Sequence, residues 1–297
     1  MNALLLGNGI NLLEGFSPDW NKLLPEIAKE YDCKYRNSLS MTLGYEMLEN
    51  LIMSKDPKLN ETAIHRVIAG KTETEKIRKR IDWNDSIHSR LMKLPNTEIL
   101  TTNYDYSLER SVDINFKKRY LTKETMYSLQ RYQEVYGKKV YHIHGECGYP
   151  RSICLGFEQY AGSLQRIRNE LTRTTADEEK KDGRTFQLAD VLGGISERPE
   201  NSWIYHFFIN DVAILGLSLD ASEIDLWWLL SYRSKQKLTE RLPINNHIRY
   251  LDTSNPRKNK NLLAQRKELL DAFDVEYITC NGAGYEERYE DALTYLR

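Results

Sequence analysis

The 297-residue chain has few cysteines, no long apolar run and no surplus of either charge. Cys33, Cys147, Cys154 and Cys280 are scattered without a C-x-x-C pair, which argues against a structural zinc and against a disulfide framework. Isolated thiols fit a reducing compartment. No stretch approaches the roughly 20 apolar residues that a membrane-spanning helix needs, and the leading Ala3-Leu4-Leu5-Leu6 run stops at Gly7, too soon for a signal peptide. A cytoplasmic protein with no membrane partner is the expectation. Lys and Arg number 42 against 43 Asp and Glu, a formal charge of -1, so nucleic acid is not indicated as the main ligand. The remainder, 40% hydrophobic and 29% charged, is the composition of a globular chain able to bury a full core.

The run Val140-Tyr141-His142-Ile143-His144-Gly145-Glu146 reads as a buried strand that stops at a histidine and a glycine. Ligands of open α/β sheets sit at the carboxyl ends of strands, and histidine exchanges a proton near neutrality. His144 is therefore the candidate for chemistry, with Gly145 leaving room for a ligand. The alternative is that His142 and His144 share one strand face as structural histidines.

Asn2 to Leu6 followed by Gly7-Asn8-Gly9-Ile10-Asn11 has the arrangement of a first strand running into a dinucleotide-binding turn, where glycines admit a pyrophosphate. Gly7, Gly9 and Gly15 miss the G-x-G-x-x-G spacing, and such turns also occur without a ligand. From residue 22 to 94 the apolar positions recur at helical spacing, as in Leu23, Leu24 and Ile27 or Met47, Leu48 and Leu51. That length exceeds a normal strand-to-helix connection and predicts an inserted helical module over the crevice. Asp85 is placed to cap its last helix.

Glu98 to Thr102 is the next predicted strand, ending in Asn103-Tyr104-Asp105. The amide and the carboxylate either reach ribose hydroxyls from the strand end or form an Asx turn capping a helix from Ser107 to Val112. Ser152 to Phe157 reads as extended, Gln159 to Arg173 as helical, and the polar stretch 172–183 as a surface loop, which together suggest a second insertion over about 158–200. The aromatic cluster from Asn201 to Phe208 is placed to pack against the sheet.

Asp211 to Gly216 is the clearest strand of the second half, followed by Leu217-Ser218 and a helix with Ser222-x-x-Asp225 as its capping box. Ser218 is either a second ribose or phosphate contact or a turn residue. Strands at 247–251 and 275–278, each followed by a helix, complete an alternating pattern. The expectation is one α/β domain over 1–297: a doubly wound, Rossmann-like parallel sheet of about six strands with an inserted helical module.

Gly7-Asn8-Gly9, Thr101-Thr102-Asn103-Tyr104-Asp105, His144-Gly145 and Gly216-Leu217-Ser218, in that order and at those long intervals, resemble the sirtuin family. Pro18-Asp19-Trp20 resembles part of the family's proline-aspartate-aromatic segment in the cofactor loop. The chain departs from classical sirtuins where Thr102 replaces a glutamine, Asn21 replaces an arginine, and the paired zinc cysteines are missing. It is in this similar to the bacterial sirtuin-like effectors of phage defence, which cleave NAD outright.

The resemblance implies that NAD is the substrate, with no metal expected. It implies His144 as general base, Asn103 as the group orienting ribose and water, and Asp105 as a ribose or loop contact. Gly7, Asn8, Gly9, Asn11, Asp19, Trp20, Thr102, Gly145, Gly216 and Ser218 are the implied NAD contacts. An unregulated NAD hydrolase would kill its host, so a homo-oligomer or a separately encoded sensor or regulatory protein is expected to gate it. Two alternatives are an NAD-dependent protein deacylase and a non-catalytic NAD or ADP-ribose binding subunit.

Overall fold

Leu4-Leu5-Leu6 and Val212-Ala213-Ile214-Leu215 are apolar without alternation because both faces of their strands are covered by helices. They form the centre of the sheet. The computed structural model describes residues 2–16, 20–36, 40–73, 75–80, 82–119, 126–172, 188–195, 201–255 and 260–296. Seven strands lie among them: β1 (Asn2–Leu6), β2 (Thr97–Thr101), β3 (Tyr132–Val135), β4 (Lys138–His142), β5 (Asp211–Leu215), β6 (Ile248–Asp252) and β7 (Val275–Thr279).

Their order across the sheet is β3-β4-β2-β1-β5-β6-β7, all neighbours parallel except β3 against β4. Chain progression reverses at β1, where Leu6 pairs with Thr101 on one side and with Leu215 on the other. This is a Rossmann-like doubly wound sheet, and its crevice opens beyond the ends of β1 and β5.

Between β1 and β2 lie α1 (Gly9–Leu13), α2 (Trp20–Glu30), α3 (Met41–Lys55), α4 (Glu61–Thr72), α5 (Glu75–Lys79) and α6 (Ile87–Met92). A single turn, α7 (Ser107–Arg110), follows β2; α8 (Phe157–Thr172), α9 (Leu188–Leu192) and α10 (His206–Ile209) lie between β4 and β5. Beyond β5, β6 and β7 come α11 (Ile224–Leu238), α12 (Lys260–Ala272) and α13 (Tyr285–Thr294). No helix among the described residues is long and apolar enough to cross a membrane.

Alternation along the strands divides the core in two. Leu5, Leu100 and Ile214 pack on one face with Trp203, Phe207 and Leu229, whereas Leu4, Ile99 and Leu215 pack on the other with Leu91, Met92 and Leu293. A third cluster joins Leu23 and Ile27 of α2, Tyr45 and Leu48 of α3 and Ile64 and Ile68 of α4 to Tyr104, Ile153 and Leu155. The helical module thus rests on the segments leaving β2 and β4.

Four expectations need correction. The sheet gains β3, an antiparallel edge strand joined to β4 by Tyr136 and Gly137, whose positive φ values of 53° and 68° suit a tight hairpin. Strand β4 ends at His142, and residues 153–155 follow a 3-10 turn without joining the sheet. Ser86, and not Asp85, caps α6, its hydroxyl accepting from the Ser89 amide; Asp85 occupies the left-handed region at φ 58°. The Ser222 capping box is absent, because α11 starts at Ile224 after Glu223 and Asp225 turns its carboxylate elsewhere. Asp19 and residues 173–183 of the polar stretch lie outside the described residues.

Candidate active site

A cavity of about 480 Å³ opens at the crevice, walled by the ends of β1, β2, β5 and β6, by the loop after β4 and by Leu24, Met41 and Thr72 of the helical module. Of the residues singled out from sequence, Asn8, Gly9, Thr102, Asn103, Asp105, His144, Gly216 and Ser218 line it. Gly7, Asn11 and Gly145 do not. Trp20 begins α2, and Asp19 is not described.

The glycines serve the backbone. The Gly7 amide donates to the Leu215 carbonyl (3.0 Å) and the Gly9 amide to the Gly216 carbonyl (2.8 Å), so the turns after β1 and β5 are fastened to each other. A Cβ on Gly7 would collide with the Gly216 carbonyl and Leu217, and one on Gly9 with the Tyr289 hydroxyl and Gly216. Gly145, at φ 95°, has the Ser152 carbonyl where its side chain would be. The space expected beside it for a ligand is filled by the chain itself.

That packing sets His144 past the strand end. The Gly145 amide donates to the His142 carbonyl (3.1 Å) and the Cys154 amide to the His144 carbonyl (2.8 Å). The two histidines consequently diverge. His142 is fully buried between Glu109, 2.7 Å from its Nε2, and the Asn103 carbonyl, 2.9 Å from its Nδ1. Burial opposes its charge, but the Glu109 carboxylate and its hydrogen bond outweigh that and raise its pKa to about 9.

His144 faces the cavity. Its Nε2 lies 3.2 Å from Asp225 Oδ2, which also accepts from the Ser163 hydroxyl (2.7 Å), and the Tyr160 ring meets the imidazole edge-on. Burial lowers the imidazole pKa, while Asp225 and, more weakly, Glu223 raise it; the net direction is up. Burial likewise pushes Asp225 up, but His144 and the Ser163 hydroxyl pull it below the usual carboxylate range. Glu223 lines the same wall, its carboxylate accepting from the Asp220 amide (2.7 Å), and burial lifts it to about 7.

Asn103 and Asp105 complete this end. The Asn103 side-chain amide donates to the Gly7 carbonyl (3.2 Å), leaving Oδ1 without a partner among the described residues. Asp105 shows the Asx turn, its Oδ1 accepting from the Ser107 amide (3.0 Å), and its side chain also borders the cavity. Its Oδ2 accepts from Asn11 (2.7 Å), whose own Oδ1 receives His88 Nε2 (2.7 Å) and the Ser107 hydroxyl (3.0 Å). Burial holds His88 neutral, its pKa lowered to about 3, so Nε2 is the protonated nitrogen that donates to Asn11. Asn11 is thus a buried support beneath the site.

The far end is polar in a different way. Ser218, Asp252, Ser254 and Arg266 line it, with Arg266 Nη1 3.3 Å from the Tyr250 hydroxyl, which donates to the Leu217 carbonyl (2.7 Å). Asp252 accepts from the Ser254 amide (2.9 Å) and from the Tyr277 hydroxyl. Sequence reasoning missed Asp225, Glu223, Ser163, His88, Asp252 and Arg266. Asp252 was findable, since it ends a strand as Asn103 follows one; the others carry no local signature. Among the described residues no group of three or more His, Cys, Asp or Glu is arranged to hold a metal ion.

Residues 97–185 match a SIR2-like domain. The matched stretch runs from β2 past Asn103, Asp105, His142 and His144 and takes in α8, while Asp225 and Glu223 lie beyond it. No curated protein matches the chain.

Proposed function

We propose that the chain is an NAD glycohydrolase, releasing nicotinamide and ADP-ribose from NAD and water. The reading is carried by the convergence of Asn103 Oδ1, unpartnered among the described residues, and the His144–Asp225 pair at one end of a cavity whose other end offers Arg266 and hydroxyls. A substrate with a glycosidic bond at one end and phosphates and a second sugar toward the other suits that division. The SIR2-like match over 97–185 supports the same substrate.

In the reaction, the bond from ribose C1′ to the nicotinamide nitrogen breaks with its electron pair leaving on nicotinamide. Water adds to C1′ and gives up a proton. His144 takes that proton, or one from a ribose hydroxyl, a role worth about 10²–10⁴ in rate. Asp225 orients the ring and stabilises the imidazolium that forms, and Asn103 Oδ1 accepts from the water or ribose. The fastened Gly7 and Gly216 turns keep the two walls in register, the contribution that orientation makes.

The test is nicotinamide release from NAD, with and without an acyl-lysine peptide. Peptide-independent release that is abolished in folded His144→Ala supports hydrolysis. Release only with peptide makes the protein a deacylase, and saturable NAD binding without product makes it a binding module. The cellular role we propose, an effector that depletes NAD on phage infection and is gated by self-assembly or a partner protein, follows the resemblance to the phage-defence effectors. Cellular NAD that stays constant in infected cells carrying the gene would overturn it.

A further inference from the structure

A second cavity, about 580 Å³, is lined in part by Tyr106, next to Asp105 in the loop after β2. Arg66 of α4, Arg78 of α5, Arg110 of α7 and Lys117 and Lys118 line it, with Glu73 as the one acid among its described lining residues. Five cations against one carboxylate is a local excess in a chain whose formal charge is -1. Arg66, Arg78 and Lys117 are exposed and make no ion pair or hydrogen bond among the described residues. Like charges gathered in a concavity repel one another and favour a multivalent anion.

The sixth charge links this cavity to the first. Glu73 Oε1 receives Arg110 Nη2 (2.9 Å) and Nε (3.1 Å), while Oε2 accepts from the Tyr106 amide (3.1 Å). Tyr106 directly follows Asp105. An anion that engages Arg110 competes with Glu73 for that guanidinium and so reaches the backbone of the loop.

We propose that this cavity binds a small polyphosphate anion of the nucleoside triphosphate class, and that occupancy loosens the Glu73 hold on the loop after β2. As a control on hydrolysis this rests on the function proposed above; as a binding site it does not. Guanidinium forks match phosphate oxygens bidentately, and a concavity of about 580 Å³ has room for a small polyphosphate.

The experiment is calorimetric titration with sodium tripolyphosphate, with ATP and with a short single-stranded oligonucleotide, on the wild type and on Arg66→Glu/Arg78→Glu/Lys117→Glu. All three changes are at exposed positions, and circular dichroism confirms the fold. Tripolyphosphate should bind the wild type, at least about tenfold more weakly in the variant and more weakly as salt is raised. Equal affinity in both proteins, or no binding, overturns the site; tighter ATP binding that the variant loses assigns a nucleotide; tighter oligonucleotide binding overturns the small-molecule class. Hydrogen exchange of the 103–110 peptide reads the coupling without turnover: tripolyphosphate should speed the Tyr106 amide by about threefold or more. Unchanged exchange at saturation overturns the coupling, whereas absence of nicotinamide release under all conditions overturns the hydrolase alone.

Discussion

Nε2 of His144 lies 3.2 Å from Oδ2 of Asp225, a residue 81 positions further along the chain, and both side chains are buried. Asp225 carries its own supports, the Ser163 hydroxyl on Oδ2 and the Leu226 amide on Oδ1 (2.9 Å). A carboxylate facing Nε2 assigns the proton to that nitrogen and leaves the lone pair on Nδ1. In the proposed hydrolysis the base is thereby oriented before substrate arrives.

Asp225→Asn should cut nicotinamide release by about 10² or more, because an amide donating to Nε2 moves the ring proton to Nδ1 and removes the base. The sign of the pH effect follows from the same pair. A base works when neutral, so the wild-type rate should rise with pH through a midpoint above the ordinary histidine value of about 6.5, since Asp225 raises His144. In Asp225→Asn the residual limb should move to lower pH. A rate-pH profile checks both, and identical midpoints would remove Asp225 from the mechanism.

Asn103→Ala should leave NAD affinity within about threefold and lower the maximal rate by about 10². Its amide tie to the Gly7 carbonyl is one hydrogen bond, so the stability cost is about 1 kcal/mol. Asn103→Asp should not restore turnover, because a carboxylate would face that carbonyl where the amide donated. Single-turnover kinetics beside NAD titration separates the two terms.

Asn11→Ala should be the most destabilising polar change near the site. It strips Asp105 Oδ2, His88 Nε2 and the Ser107 hydroxyl of one shared partner. With about 1–3 kcal/mol for each buried group left unsatisfied, a loss of several kcal/mol is expected. Urea denaturation at neutral pH measures it. Asn11 unchanged in stability on truncation would mean that water replaces it.

The parallel core was legible because its strands are continuous apolar runs bounded by glycine, as in Leu4 to Gly7 and Val212 to Gly216. Edge strand β3 was not: Tyr-Gln-Glu-Val has one inward residue in two, and only its pairing with β4 makes it a strand. His144, Asn103 and Asp105 stood out because each follows a strand end in the same crevice. Asp225 was read as a helix cap because Ser222-x-x-Asp225 satisfies that local rule; its partner His144, distant along the chain, has no trace in neighbouring residues. Gly145 was legible as a necessary glycine but for the wrong neighbour, since nothing local announces the Ser152 carbonyl.

The second histidine sets a limit on how far pH can be raised. His142, raised to about 9 by Glu109, binds its proton more tightly folded than unfolded. A raised folded pKa adds stability that is complete below the unfolded value of about 6.5 and is lost as pH climbs toward 9. The wild type should therefore lose on the order of 3 kcal/mol across that window, with His144 adding loss of the same sign. In His142→Gln/Glu109→Gln, where both charges are gone, the His142 part of the slope should vanish; an unchanged slope would show that His142 is neutral in the fold. Because His144 must lose its proton to act in the proposed hydrolysis while His142 must keep both of its own to donate to Glu109 and the Asn103 carbonyl together, rate and stability run in opposite directions above about pH 6.5. Measured together, the two limbs should be separable: Asp225→Asn moves the rising limb of turnover and removes only the His144 part of the falling limb of stability, whereas His142→Gln/Glu109→Gln removes the His142 part of the falling limb.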